Sequence, residues 1–230
     1  MLHLEDVSVS DKSENIILEH VNLHIEPGGF YLLTGASGSG KTALFERLAL
    51  VRPPSRGVFT FCGYNVSTLT SNQAQSLRRR IGIFFQKPRL MDYLTLYENI
   101  ALPLEIAGEE QSRYHHNILE LLSWFGLEGR ENQCPTSLSP SEQRDLALAR
   151  AVVTRPPLLV ADDLLADSDK TATKRILSLL TTLNRYGMTI VMTLSGQTVP
   201  DVIAHKVAHR HYHLQSGVLA GVKEGHRGSP

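Results

Sequence analysis

Apolar residues alternate with polar ones in some stretches of the chain, run unbroken in others, and recur every three or four positions elsewhere. Leu2, Leu4, Val7 and Val9 have the spacing of an exposed-face strand, and Val21, Leu23 and Ile25 alternate strictly with polar neighbours. The polar stretch 10–15 turns between them, so the chain opens with an antiparallel edge sheet. Short apolar runs at 30–34, 81–85, 158–161 and 189–193 predict strands covered on both faces, with a shorter strand at 58–61. Helical spacing predicts helices over 42–50, 73–80, 95–107 and 111–125, where Ile118, Leu121, Leu122 and Phe125 form one stripe before Gly126. Ser139, Pro140 and Glu142 have the N-cap, first and third helical positions of a helix running to Val153. A last helix carries Ile176, Leu179, Leu180 and Leu183, and a late strand runs over 208–214, with a frayed tail from Glu224. Strands alternating with helices predict an α/β fold around a mostly parallel sheet.

Between the strand at 30–34 and the helix at 42–50 stand Gly35, Ala36, Ser37, Gly38, Ser39, Gly40, Lys41 and Thr42. They fit G-x-x-x-x-G-K-[ST], the phosphate-binding loop, in the strand–loop–helix context it requires. Glycines let the backbone curl so that several N–H groups point at phosphate oxygens, and the helix start adds its positive end. Lys41 has the reach for the β- and γ-phosphates of ATP, and the Thr42 hydroxyl suits Mg²⁺. The bland alternative is a glycine-rich turn that happens to carry Lys-Thr. Asp162, closing a buried strand, supplies the oxygen ligand that Mg²⁺ needs opposite Thr42.

Composition narrows the partners. The 230 residues carry equal numbers of basic and acidic side chains, so neither nucleic acid nor a lipid surface is indicated. Cys62 and Cys134 are far apart and form no metal or redox motif, which suggests two unpaired thiols in a reducing compartment. No apolar run approaches the length of a membrane span, and the first residues lack a signal core.

The order of phosphate loop, Gln86 after a strand, Leu138-Ser139 opening a helix with Ala147 to Ala151, then Asp162, resembles the ATP-binding-cassette (ABC) ATPases over nearly the whole chain. The text around 77–86 and 97–108 is similar to the cell-division type, FtsE, and the lipoprotein-release and macrolide-export types share much of it. The resemblance implies one nucleotide-binding domain over 1–230, with a core of about 1–86 and 154–222 and a helical subdomain of about 87–153. It implies an ATP-dependent head-to-tail homodimer, each ATP lying between the loop 35–42 of one copy and Ser139 of the other. It also implies Thr42, Gln86 and Asp162 as Mg²⁺ ligands, Asp163 and Gln86 in catalysis, and a polytopic, FtsX-like membrane partner. The subunit would then be cytoplasmic and peripheral on the inner face of the membrane.

Several positions depart from the family pattern. The catalytic Glu is Asp163 here, a carboxylate one methylene shorter, and misplacement of about 1 Å can cost about 100-fold. The switch His falls on Leu194, which cannot bond a phosphate or water. Leu-Ser-Gly-Gly is Leu138-Ser-Pro-Ser141: Pro140 offers no N–H, and Ser139 is available as a helix cap. The family's Gln-Arg pair falls on Arg144-Asp145, and the adenine-stacking aromatic falls near Asp11, with no aromatic beside it. ATP binding with slow hydrolysis or none is the expectation, with Thr193, Ser195 or Gln197 as substitutes. A nucleotide-binding adaptor without turnover and a soluble phosphate-loop kinase are the alternatives.

Two further clusters stand out. His209, His211 and His213, with His205 nearby, have a spacing able to hold Zn²⁺, against the plainer expectation of a solvated strand face. Leu90, Met91, Tyr93, Leu94 and Leu96 suggest an apolar groove for a partner helix, or else packing within the subdomain.

Overall fold

The computed structural model describes residues 1–11, 13–53, 55–166, 168–204 and 207–225. Strands β1 (Leu2–Ser10) and β2 (Ile16–Ile25) pair antiparallel with Leu2 opposite Ile25. Strands β4 (Arg56–Phe61) and β5 (Tyr64–Asn65) extend them into a four-stranded sheet ordered β2-β1-β4-β5. The expected edge is thus a separate layer, and its first strand is not an exposed-face one. Leu2, Leu4, Val7 and Val9 are all buried, because their face lies on the core.

The second sheet has six strands in the order β10-β9-β3-β8-β7-β6. Its members are β3 (Phe30–Gly35), β6 (Ile81–Phe84), β7 (Leu158–Ala161), β8 (Thr189–Ser195), β9 (His209–Gln215) and β10 (Val218–Gly225). All neighbours are parallel except β10, which returns antiparallel to β9 and carries regular strand to Gly225, past the expected start of a frayed tail. Period-two alternation divides its residues between two cores. Phe30, Leu32, Leu159, Ala161, Ile190, Met192 and Leu194 pack on one side; Tyr31, Leu33, Leu158, Val160 and Val191 pack on the other. That double coverage explains why these strands read as unbroken apolar runs.

Helix α1 (Lys41–Leu48) lies between the two sheets, with Leu44, Phe45 and Leu48 buried in the second core. On the other face are α3 (Leu96–Ile106), α4 (Gln111–Trp124), α5 (Pro140–Val152) and α6 (Lys170–Arg185), whose apolar stripes fill the first core. The other described α-helices are α2 (Ser71–Arg78) and α7 (Asp201–Ala204), and single 3-10 turns lie at Val66–Thr68 and Pro135–Ser137. Capping boxes start α2 from Thr70 with Gln73, α3 from Thr95 with Glu98, and α5 from Ser139 with Glu142.

The stretch after Gln86 is pinned. The Asn99 side chain, fully buried, accepts from the Met91 N–H and donates to the carbonyls of Met91, Leu94 and Thr95. Leu96 belongs to the core rather than to a surface groove, Leu90, Met91 and Leu94 are half-buried, and Tyr93 is 80% exposed. The late histidines also differ from expectation. Strand β9 is interior to the sheet, so His209 is buried and His211 and His213 are half-buried rather than solvated.

Candidate functional site

Four strand ends meet at one edge of the parallel sheet. Strand β3 delivers residues 35–42, β6 delivers Gln86, and β7 delivers Asp162 and Asp163. Strand β8 lies between β3 and β7 and delivers Thr193 and Ser195.

The loop is tied at its base, where the Gly35 N–H donates to the Gly196 carbonyl at 2.8 Å. A Cβ on Gly35 would stand 2.4 Å from the Leu214 carbonyl oxygen, so the strand leaves no room there for a side chain. Gly40 has φ 102°, and a Cβ on it would meet Leu18 Cδ2 at 2.7 Å. Helix α1 therefore starts on a glycine, with no side-chain cap and no acid in its first turn. Its orphan N–H groups remain available to an anion, unlike those of the boxed helices.

Lys41 is 8% exposed, and its ammonium donates to the carbonyls of Gly35 at 2.6 Å and Ala36 at 2.8 Å. The Thr42 hydroxyl donates to Asp162 Oδ2 at 3.2 Å. Thr193 Oγ1 donates to Asp162 Oδ1 at 2.6 Å and accepts from the Asp163 N–H at 2.8 Å, so one buried hydroxyl sets both acids. Asp163 has a left-handed backbone, φ 49°. Its carboxylate accepts from the Ser195 N–H at 3.0 Å and the Ser195 hydroxyl at 2.6 Å, with Gln86 Nε2 at the limit of bonding, 3.5 Å. Gln86 and Thr42 are exposed to the cleft, whose volume is about 300 Å³.

The acid pair and the loop suit a phosphate with a divalent cation. Burial pushes the Asp162 carboxyl up, helped by the neighbouring Asp163 charge, while bonds from Thr193 and Thr42 and the Lys41 charge pull it back. A divalent cation would offset the cost of burying that carboxylate, and the Thr42 hydroxyl beside it is a hard oxygen donor. Residues 35–42 and the open α1 start fit a polyphosphate in the same way.

Beside the cleft is a second cavity of about 380 Å³, which shares Ile17, Thr42 and Ala43 with it. Ser10, Asp11, Glu46 and Arg52 also line it, and no aromatic ring does. Asp11 is committed to its own turn, accepting from Ser13 N–H, Asn15 N–H and Asn15 Nδ2; the Asn15 bonds hold its carboxyl below the usual range.

Ser139 is exposed and used locally: its hydroxyl donates to Glu142 Oε2 at 2.7 Å and accepts from the Glu142 N–H. Leu194 packs on the helix side of the sheet with Ile190 and Met192, so position 194 puts an apolar side chain into the core. Ser195, next along the strand, lines the cleft instead. His211 Nε2 and His213 Nδ1 both reach Thr34 Oγ1, at 2.7 and 3.0 Å. Among the described residues no group of three or more His, Cys, Asp or Glu has the arrangement of a metal site, and His205 lies outside them.

Sequence reasoning marked Arg144 only as a departure and missed its role. From α5 its guanidinium donates to the carbonyls of Gln86 (2.9 Å), Asp163 (2.8 Å) and Leu164 (2.9 Å). No local pattern announces such a fork; it depends on where α5 lands. Thr193 was among the candidate substitutes, and the structure sets it beside the acids because Ala161 pairs with Met192.

A glycine loop opening an uncapped helix, with a paired hydroxyl and acid across from it on a parallel sheet edge, defines a phosphate-loop fold. The chain belongs to the ABC transporter family, whose family model matches residues 18–166, more than half of it. It is 33% identical to the cell division ATP-binding protein FtsE of Mycobacterium tuberculosis over 90% of both chains. It is 34% identical to FtsE of Escherichia coli over 84% of this chain and 86% of that one. The methionine import ATP-binding protein MetN of Francisella tularensis is 34% identical over 86% of this chain, which spans 57% of that relative's length. Among solved structures, the dimeric ATP-binding cassette MJ0796 in a post-hydrolysis state bound to ADP and Pi superposes with a TM-score of 0.88. It is 29% identical and is matched over 100% of both chains. No described helix is long and apolar enough to cross a membrane.

Proposed function

We propose that the chain is the ATP-binding subunit of an FtsE-like complex and couples Mg-ATP binding, with slow turnover, to a polytopic, FtsX-like membrane partner. The observation that carries this is the Thr42–Asp162 bond beside the Lys41 ammonium, a hydroxyl, an acid and a cation converging on one cleft. It acts as one nucleotide-binding domain, with a core of about 1–86 and 154–222 and a helical subdomain of about 87–153. Its membrane association runs through the partner.

Lys41 exchanges its two carbonyl acceptors for phosphate oxygens, which bind it more strongly because they are anionic. The N–H groups of the loop and the α1 start hold the remaining oxygens. Thr42, Asp162 and Gln86 would hold Mg²⁺, which would supply positive charge to the phosphates. Asp163 accepts the proton of the attacking water, and Ser195 orients that carboxylate through its two bonds. Leu194 is turned into the core, and Ser195, which lines the cleft in its stead, has no charge to offer the reacting phosphate; with Asp163 short for its task, turnover is slow. Head-to-tail dimerisation brings the Ser139 segment of a second copy to the phosphates. The MJ0796 dimer supports that arrangement.

The test is recovery of the tagged chain from membranes followed by phosphate-release measurement on the complex. A co-purified polytopic protein with slow ATP turnover is expected. Recovery of the chain alone, or rapid phosphoryl transfer to a small acceptor, would overturn the proposal. A second reading, an adaptor without turnover, is favoured by the short acid Asp163, by the uncharged Ser195 at the cleft and by the capped Ser139; absence of any phosphate release from the intact complex would establish it.

A further inference from the structure

Arg144 stands five residues after the cap of α5, on the helix that the Ser139–Glu142 box starts. Its guanidinium plane reaches two loops that are 77 residues apart in sequence at Gln86 and Asp163. Nη1 donates to the Gln86 carbonyl, and Nη2 donates to the carbonyls of both Asp163 and Leu164. The guanidinium also lies over the Phe84 ring, 5.4 Å from its centroid. Phe84 in turn accepts the Asp162 N–H through its carbonyl at 2.9 Å. Asp163 has a left-handed backbone, a conformation uncommon outside glycine, and it is bonded on both sides. Arg144 supplies the hold on its C-terminal side, and Thr193 supplies it on the N–H side.

We infer that Arg144 is a positioning residue for the cation site, tying α5 to the loops that carry Gln86, Asp162 and Asp163. The inference rests on the proposed Mg-ATP reading of the cleft and assigns a task that reading leaves open. The fork geometry matters as well as the charge. Two terminal nitrogens in one rigid plane hold three carbonyls at once, whereas an ammonium offers its donors from a single point. Outer partners of this kind typically cost about 10–100-fold in metal affinity when lost. The Gln86 amide and the Asp162–Asp163 carboxylates would drift relative to Thr42, while residues 35–41 keep their own bonds to the polyphosphate. Removing Arg144 should therefore cost the metal-dependent part of nucleotide affinity and spare the metal-independent part.

The experiment compares equilibrium ATP affinity in Mg²⁺ with that in excess chelator, for the natural chain, Arg144→Lys and Arg144→Ala. Far-UV circular dichroism and thermal melting of each protein without nucleotide accompany it. The natural chain should bind better with Mg²⁺. Arg144→Lys should stay folded, retain its affinity in chelator within about twofold, and lose about tenfold of the Mg²⁺ advantage. Arg144→Ala should lose at least as much. A folded variant with an unchanged Mg²⁺ advantage would overturn the inference and leave the ATP reading intact. Equal losses with and without Mg²⁺, or failure of both variants to fold, would show a general structural role and overturn it too. No Mg²⁺-dependent ATP binding by the natural chain would instead defeat the ATP reading itself.

Discussion

Replacing Thr193 by valine keeps the branched shape and removes one oxygen. That oxygen gives Asp162 its shortest hydrogen bond and receives the Asp163 N–H, and Thr193 is 1% exposed. A hydrogen bond to a charged group contributes about 1.5–3 kcal/mol, and a buried donor left without a partner costs about 1–3 kcal/mol. Thr193→Val should therefore destabilise the chain by about 3–5 kcal/mol, since the two losses come from different bonds. For a chain of 230 residues that corresponds to a fall in melting temperature of about 10 °C. Chemical denaturation followed by circular dichroism reads the effect, with Thr193→Ser as the control that keeps the oxygen. A loss below about 1 kcal/mol for Thr193→Val, or equal losses for both variants, would refute the assignment of this hydroxyl as the shared anchor of the two acids.

Asp163→Glu should raise the slow ATP turnover of the complex by about 100-fold, by carrying the carboxylate one methylene further into the cleft; an unchanged phosphate-release rate would show that the short acid is not limiting. Leu194→His should instead cost about 2–3 kcal/mol of stability, because the imidazole would displace an apolar side chain among Ile190 and Met192; a fully stable variant in urea denaturation would contradict that placement. Glu142 is held below its ordinary value by the bonds from Ser139 and then by Arg130. A depressed carboxyl stabilises the fold above its unfolded value of about 4.5 and loses that contribution as pH falls through the lower folded value. The melting-temperature gap between the natural chain and Glu142→Gln should thus be full near neutral pH and close in acid; a gap that widens on acidification would be the wrong sign.

Local chemistry made much of the fold legible. The buried strands announced themselves because both faces of the second sheet are covered, and the α5 start because Ser139, Pro140 and Glu142 form a complete local cap. The phosphate loop was legible because its motif is complete within residues 35–42, although the packing that requires Gly35 and Gly40 comes largely from Leu214 and Leu18, distant in sequence. What escaped were consequences of packing between distant segments. Leu2 to Val9 read as half-exposed because nothing in that stretch reveals the second layer it faces. The β9 histidines read as solvated because alternation cannot tell an interior strand from an edge one. Arg144 was noticed as a departure, yet its role exists only because α5 brings it beside three loop carbonyl groups.

The central claim, that residues 35–42 with Asp162 bind Mg-ATP, is tested most directly by calorimetric titration of the natural chain and of Lys41→Ala. The natural chain should bind ATP with a Mg²⁺-enhanced affinity, and Lys41→Ala should lose measurable binding while melting as a folded protein. Equal affinity in the two proteins, or no binding by the natural chain, would contradict the account.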